Sequence, residues 1–239
     1  MKSIVLFVVT LFLFTVSCIS QSNEYQNDNF SITTTKITHD SNLGITVWEI
    51  AVKGNAGETV PKKAGQLDGA PVLGYVFPTS LKPTDVGFNQ TEGIVALALT
   101  SHPDFDDTPL WDENSDSTYD NDGVIWHPHW VVLVEDKRVK GGLSVKQFNK
   151  GDKSVVLPPT NPGMPMYMDS PGYSVITKAN SIKVIIPDYR INHKTDFNFD
   201  AVTAFMKVNT SKETFPMLGV YEVFTVASGD LSLPYKVKQ

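Results

Sequence analysis

The chain has 239 residues, 41% of them hydrophobic and 19% charged, enough for one sizeable core and far from the composition of a disordered chain. Twenty Lys and Arg against 26 Asp and Glu leave a formal charge of −6. That balance argues against a protein whose main work is to grip nucleic acid, which needs a basic face.

Lys2 precedes an apolar run from Ile4 to Val16. Its length of about 13 residues suits the core of an export signal and falls short of the ~20 that span a bilayer. Residues 1–17 are therefore expected to be a signal peptide, and the mature protein to be extracytoplasmic: secreted, periplasmic or held on an outer surface. Cys18, the single cysteine, ends the run in Thr15-Val16-Ser17-Cys18. This stretch resembles the bacterial lipoprotein box, whose cysteine becomes a lipidated first residue, although Thr15 stands where Leu is usual. Lipidation at Cys18 and ordinary cleavage near Ser20 both stay open, and a membrane enters only through such an anchor. The polar residues 18–29 are expected to form a flexible tether. Beyond Cys18 no thiol remains for a disulfide, a thiolate metal site or a cysteine nucleophile.

Residues 30–239 read as one all-β domain. Short runs rich in Val, Ile, Thr, Tyr and Phe alternate with Gly, Pro, Asn and Asp. Strands are expected over Gly44–Val52, Val72–Phe77, Gly93–Thr100, Val124–Val134, Ser154–Leu157, Tyr173–Thr177, Ser181–Ile186, Ala201–Val208 and Gly219–Val226. A shift of apolar parity around Trp48 suggests a bulge there. Phe199–Lys207 suits a helix about as well as a strand. With 15 Pro and 16 Gly placed mostly between the runs, few or no helices are expected. An antiparallel β-sandwich, jelly-roll or immunoglobulin-like, is the economical arrangement.

Residues 104–122 hold Asp104, Asp106, Asp107, Asp112, Glu113, Asp116, Asp120 and Asp122, with no Lys or Arg. Such a loop repels itself unless a cation sits among the carboxylates, and calcium takes six to eight oxygens from flexible loops. Asp112, Asn114 and Asp116 have the 1-3-5 spacing of an EF-hand loop, but Ser117 replaces its glycine and Gly123 its final glutamate. Asp116, Asp120 and Asp122 form a second grouping. All five are candidate calcium ligands, against the alternative of a solvated loop.

Trp126-His127-Pro128-His129-Trp130 is the sharpest local feature. Residues two apart on a strand share a face, which places His127 and His129 about 6.6 Å apart. Two imidazoles at that spacing can meet one ion, copper or zinc among the candidates. Pro128 cannot donate to a sheet ladder and points to an edge or a bulge. The pair with Glu135 comes near the cupin metal motif, but the glutamate falls one residue late and no second half follows, so no family is assigned. His102 is a candidate third ligand. If residue 102 lies near residue 123, its ring stands roughly 13–20 Å along the strand from the pair and must bend back. Met164, Met166 and Met168 offer thioethers, soft donors that favour Cu(I), or simply fill apolar gaps.

No nucleophile elbow, phosphate loop or zinc-protease helix is present. The functional expectation is an exported metal-binding β-sandwich, with calcium in the acidic loop and a transition metal at the His pair. Two alternatives stand beside it. One is a metal-dependent enzyme in which a loop carboxylate such as Asp104 or Asp106 moves protons. The other is a carbohydrate-binding module with structural calcium and exposed tryptophans.

Overall fold

A computed structural model of the chain describes residues 24–239 apart from 109, 110, 113, 119 and 120. The expected signal peptide, Cys18, the first half of the tether and Asp120 lie outside the described residues.

The described strands are β1 (Ile32–Asp40), β2 (Ile45–Val52), β3 (Pro71–Pro78), β4 (Ile94–Ser101) and β5 (His127–Glu135). There follow β6 (Leu143–Val145), β7 (Met168–Asp169), β8 (Val175–Lys178) and β9 (Ser181–Pro187). The last four are β10 (Asn198–Phe199), β11 (Val202–Val208), β12 (Leu218–Val226) and β13 (Tyr235–Lys236). Among the described residues the only helical segments are single 3₁₀ turns.

Strands β4-β3-β11-β12-β6-β5 form one antiparallel sheet, and pairing of β4 with β5 closes it into a six-stranded barrel. The short β7 lies along β5 on the same side as β6. A separate sheet, β1-β2-β9-β8, packs on the outside of β3, β4 and β5. The expected open sandwich therefore gives way to a barrel with a sheet laid against it. The reason lies in β3, β4 and β5, which are apolar at nearly every position and so need cover on both faces. Leu73, Tyr75, Phe77, Val95, Leu97, Leu99, Trp130 and Val132 face outward and meet Ile37, Trp48, Ile50, Val52, Ile182, Val184 and Ile186 of the outer sheet. Trp48 stands edge-on to Phe77 and Trp130, with ring centres 5.3 and 5.7 Å apart. The alternate residues of the same strands (Val72, Val76, Ala96, Ala98, Val131 and Leu133) face into the barrel.

Several local expectations are corrected. β2 carries no bulge: Thr46, Trp48, Ile50 and Val52 are buried in strict alternation. Thr46 tolerates the core because its hydroxyl accepts the Trp48 indole N–H at 2.8 Å and reaches the Ile186 carbonyl at 3.4 Å. Ser154–Leu157 forms no strand. Of the helix-or-strand alternatives over Phe199–Lys207, the strand is formed, as β11. The polar stretch before residue 30 is described from Glu24, and there Tyr25 is buried against Phe205. Three of the four tryptophans, Trp48, Trp126 and Trp130, are buried, and Trp111 is exposed.

At the end of β5, Arg138 grips the Asp136 carboxylate at 2.9 and 2.6 Å, and the Ser144 hydroxyl of β6 donates to it at 2.8 Å. These bonds, led by that from Arg138, hold the Asp136 pKa down at about 2. A depressed carboxylate stabilises the fold above its unfolded pKa and loses that contribution as pH falls toward the folded value. Melting temperature should therefore fall more steeply between pH 4 and pH 2 in the wild type than in Asp136→Asn; parallel curves would rule out the effect.

Candidate metal centre

The ladder between β4 and β5 decides the site. Thr100 pairs with His127 and Ala98 with His129, so His127 and His129 point into the barrel while Trp126 and Trp130 join the outer core. The ladder ends at the Thr100–His127 pair, and beyond it a 3₁₀ turn at Asp122–Val124 takes the place of a strand. The His102 amide donates to the Gly123 carbonyl at 2.6 Å, so residue 102 does lie beside residue 123, and the Ser101 hydroxyl donates to the Val124 carbonyl at 2.7 Å. The separation of 13–20 Å expected for His102 is thus overturned: its Nε2 lies 2.8 Å from His127 Nε2. The chain bends back there: the turn and these two bonds fold His102 over the start of β5.

The fourth member is Asp107, delivered by the first part of the acidic loop. His102, Asp107, His127 and His129 are all buried, and one donor atom from each lies within 4.8 Å of all the others. Asp107 Oδ1 stands 3.3 Å from His102 Nε2, 3.4 Å from His127 Nε2 and 3.4 Å from His129 Nε2. Donors about 2.05 Å from a tetrahedral ion would be separated by about 3.3 Å, so these three distances match the edges of such a site. This group could hold a metal ion.

The hydrogen bonds behind the rings fix which nitrogen faces inward. His102 Nδ1 donates to the Phe105 carbonyl at 2.9 Å, and His127 Nδ1 to that of Ile125 at 2.5 Å. His129 Nδ1 donates to the Ser170 hydroxyl at 3.1 Å, which in turn donates to the Asp107 carbonyl at 2.7 Å. With each Nδ1 carrying the proton, each Nε2 presents a lone pair to the common centre, the tautomer a metal requires. Neither His129 Nε2 nor Asp107 Oδ1 has a hydrogen-bond partner, although both are fully buried. Burial, with the neighbouring histidines adding to it and Asp107 opposing, pushes the His129 pKa down to about 3, so this imidazole is neutral at pH 7. Burial would raise the Asp107 pKa, but the surrounding histidines outweigh it and hold the carboxyl well below its usual range. Orphaned polar atoms of this kind call for a partner.

Of the other candidate ligands, Met164 and Met168 line the barrel interior, and Met166 packs in the same aliphatic cluster. Met168 pairs with Val131, one inward-facing step beyond His129. The loop residues Asp112, Asn114, Asp116 and Asp122 do not join the histidines. Asp112 accepts the amides of Asp116 and Ser117, Asp116 accepts from Thr118, Asn114 and Asn121, and Asp122 accepts the amide of Asn114. Among the described residues no second group of three or more His, Cys, Asp or Glu converges. Sequence reasoning missed Asp107 because nothing in a run of eight acids distinguishes the one whose position the loop aims inward.

Comparison with known proteins returns no match: no family model, no curated protein and no solved structure matches this chain.

Gly123 is pressed against the site. A Cβ there would come within 2.1 Å of the Phe105 carbonyl oxygen and 2.5 Å of that of His102. Both are backbone atoms, so neither can swing aside. Gly123→Ala should displace the segment that orients His102 and lower the melting temperature by several degrees. An unchanged melt would show that the segment is not held as described.

Proposed function

We propose that this is an exported metal-binding protein holding one divalent first-row transition ion at His102, Asp107, His127 and His129. The observation that carries the reading is the convergence of three Nε2 atoms, each ring fixed by a bond at Nδ1, on Asp107 Oδ1, a buried carboxylate oxygen with no hydrogen-bond partner. Three imidazoles and one carboxylate are borderline donors suited to zinc, with iron, nickel and copper less favoured by tetrahedral spacing. Binding fits better than catalysis, because four protein ligands complete a tetrahedral set. Asp104, a candidate proton carrier, instead accepts the amides of Ala64 and Gly65. Export is supported by the charged start and apolar run of residues 1–17, and lipidation by the placement of Cys18. Calcium in the loop is left out of the proposal, since Asp112 and Asp116 are turned to backbone and amide donors of the loop itself.

A second reading has its own observation. The 2.8 Å between His102 Nε2 and His127 Nε2 is a hydrogen-bond length, and one proton shared by the two rings would neutralise Asp107 without any metal.

Elemental analysis of the purified full-length chain separates the two. One equivalent of zinc or another first-row ion per chain is expected, falling below a tenth in Asp107→Asn and in the His127→Ala, His129→Ala double variant. Free ion at a hundred times Kd should add about 2.7 kcal/mol of stability, a rise in melting temperature of roughly 5–10 °C. A chain that takes up no ion and melts unchanged in its presence would leave the shared proton as the explanation. Ser170→Ala tests the orienting bond to His129: the fold should persist while metal affinity drops about 10–100-fold. Unaltered affinity would mean that Ser170 plays no part in orienting the ring.

A further inference from the structure

The barrel interior beside the four ligands is not filled. Its cavity leaves about 80 Å³ for the centres of water-sized molecules. A single water needs roughly 10–15 Å³ by this measure, so the space admits a short chain of atoms. The room follows from the sequence, because Ala98 and Ala204 are small at positions that face inward. Of the 24 residues lining the cavity, only Thr100, His102, Asp107 and His129 carry oxygen or nitrogen in their side chains. Three of these are metal ligands. The fourth, Thr100, lies two residues before His102 and opposite His127 in the ladder. The cavity is thus an aliphatic tube with all its polarity at one end.

Two features of that end ask for a ligand. Thr100 is 4% exposed, and its hydroxyl oxygen has no hydrogen-bond partner. A buried hydroxyl without a partner carries a free-energy penalty that a bound oxygen would remove. Charge gives the second. A divalent ion with three neutral imidazoles and one carboxylate leaves a net charge of +1 against an aliphatic wall, and an unpaired charge in such surroundings is costly. An anion of charge −1 would neutralise it.

We infer that the lumen binds a short straight-chain monocarboxylate, its head group between the metal ion and the Thr100 hydroxyl and its tail along the aliphatic wall. One carboxylate oxygen enters as a fifth ligand, an expansion zinc accommodates, and the other accepts from Thr100. This rests on the metal-binding reading above and adds the class of molecule that the site takes.

Calorimetric titration of the zinc-loaded full chain with propanoate, butanoate, hexanoate and octanoate tests it. Affinity should rise about fourfold per added methylene until the tube is full. Thr100→Val should keep its zinc and bind hexanoate about tenfold more weakly. Val145→Phe, which fills the tube on the rung of Leu133, four residues beyond His129, should keep its zinc and lose octanoate binding. Zinc removal should weaken every acid at least tenfold. Zinc uptake with no carboxylate binding, an affinity independent of chain length, or binding equal with and without zinc would each overturn this inference alone. Failure to take up any metal would overturn the metal reading and this one with it.

Discussion

The pairing of β4 with β5 is the constraint on which everything else rests. It closes the barrel, and the same ladder sets His127 opposite Thr100 and His129 opposite Ala98. A slip of one residue would turn both imidazoles into the outer core and both tryptophans into the lumen, because side chains alternate faces with period two. Such a slip is strongly opposed. Trp130 is buried against Trp48 on one face, while Val131 and Leu133 are buried in the lumen on the other. Hydrophobic burial on two faces fixes the register of a polar site that could not fix it alone.

The two faces of β3, β4 and β5 divide the work by side-chain size. Outward positions carry Leu73, Tyr75, Phe77, Leu97, Leu99 and Trp130, large groups that lock the outer sheet in place. Inward positions carry Val76, Ala96, Ala98 and Thr100, small groups that leave the barrel with room, and Gly74, whose space Met206 takes. At Gly74 even a methyl group would come within 2.6 Å of the Met206 methyl carbon. A barrel of this few strands is ordinarily plugged by its own side chains. Here the plug is thinned on one side, and the opened space meets three of the four buried polar residues, His102, Asp107 and His129.

Much of this was legible in the sequence, and the failures have identifiable causes. The all-β class followed from runs that alternate with Gly and Pro, and the shared face of His127 and His129 followed from strand periodicity alone. Closure into a barrel did not follow, because an apolar run buried on both faces looks the same whether its second cover is another sheet or the inside of a barrel. Strand β1 left little trace: only Ile37 is buried in Ile32–Asp40, and its threonines face solvent at the sheet edge. The parity change that suggested a bulge at Trp48 came from Thr46, whose polarity is hidden by two hydrogen bonds that composition does not reveal. His102 was rightly placed beside residue 123, but its ring lies far closer to the pair than a straight strand allows, because the chain bends back through the Asp122–Val124 turn.

The acidic loop was the most informative misdirection. Eight carboxylates without a cation among them look like a binding site for a hard ion, yet most of those described serve as acceptors for backbone amides. Asp104 holds Ala64 and Gly65, Asp106 holds Thr108, and Asp112 holds Asp116 and Ser117. Each such bond places partial positive charge beside a carboxylate and offsets the repulsion that composition alone predicts. Asp106 and Asp112 thereby act as local turn formers, a role short polar side chains perform wherever amides lack a regular partner, while Asp104 ties the loop to a distant segment. Asp107 alone turns its carboxylate toward three imidazoles. Its own carbonyl is pinned by Ser170 from the far side of β5, and the loop before it is anchored by the His102 bond to Phe105. The excess of acids is therefore best understood as the scaffold that delivers one of them.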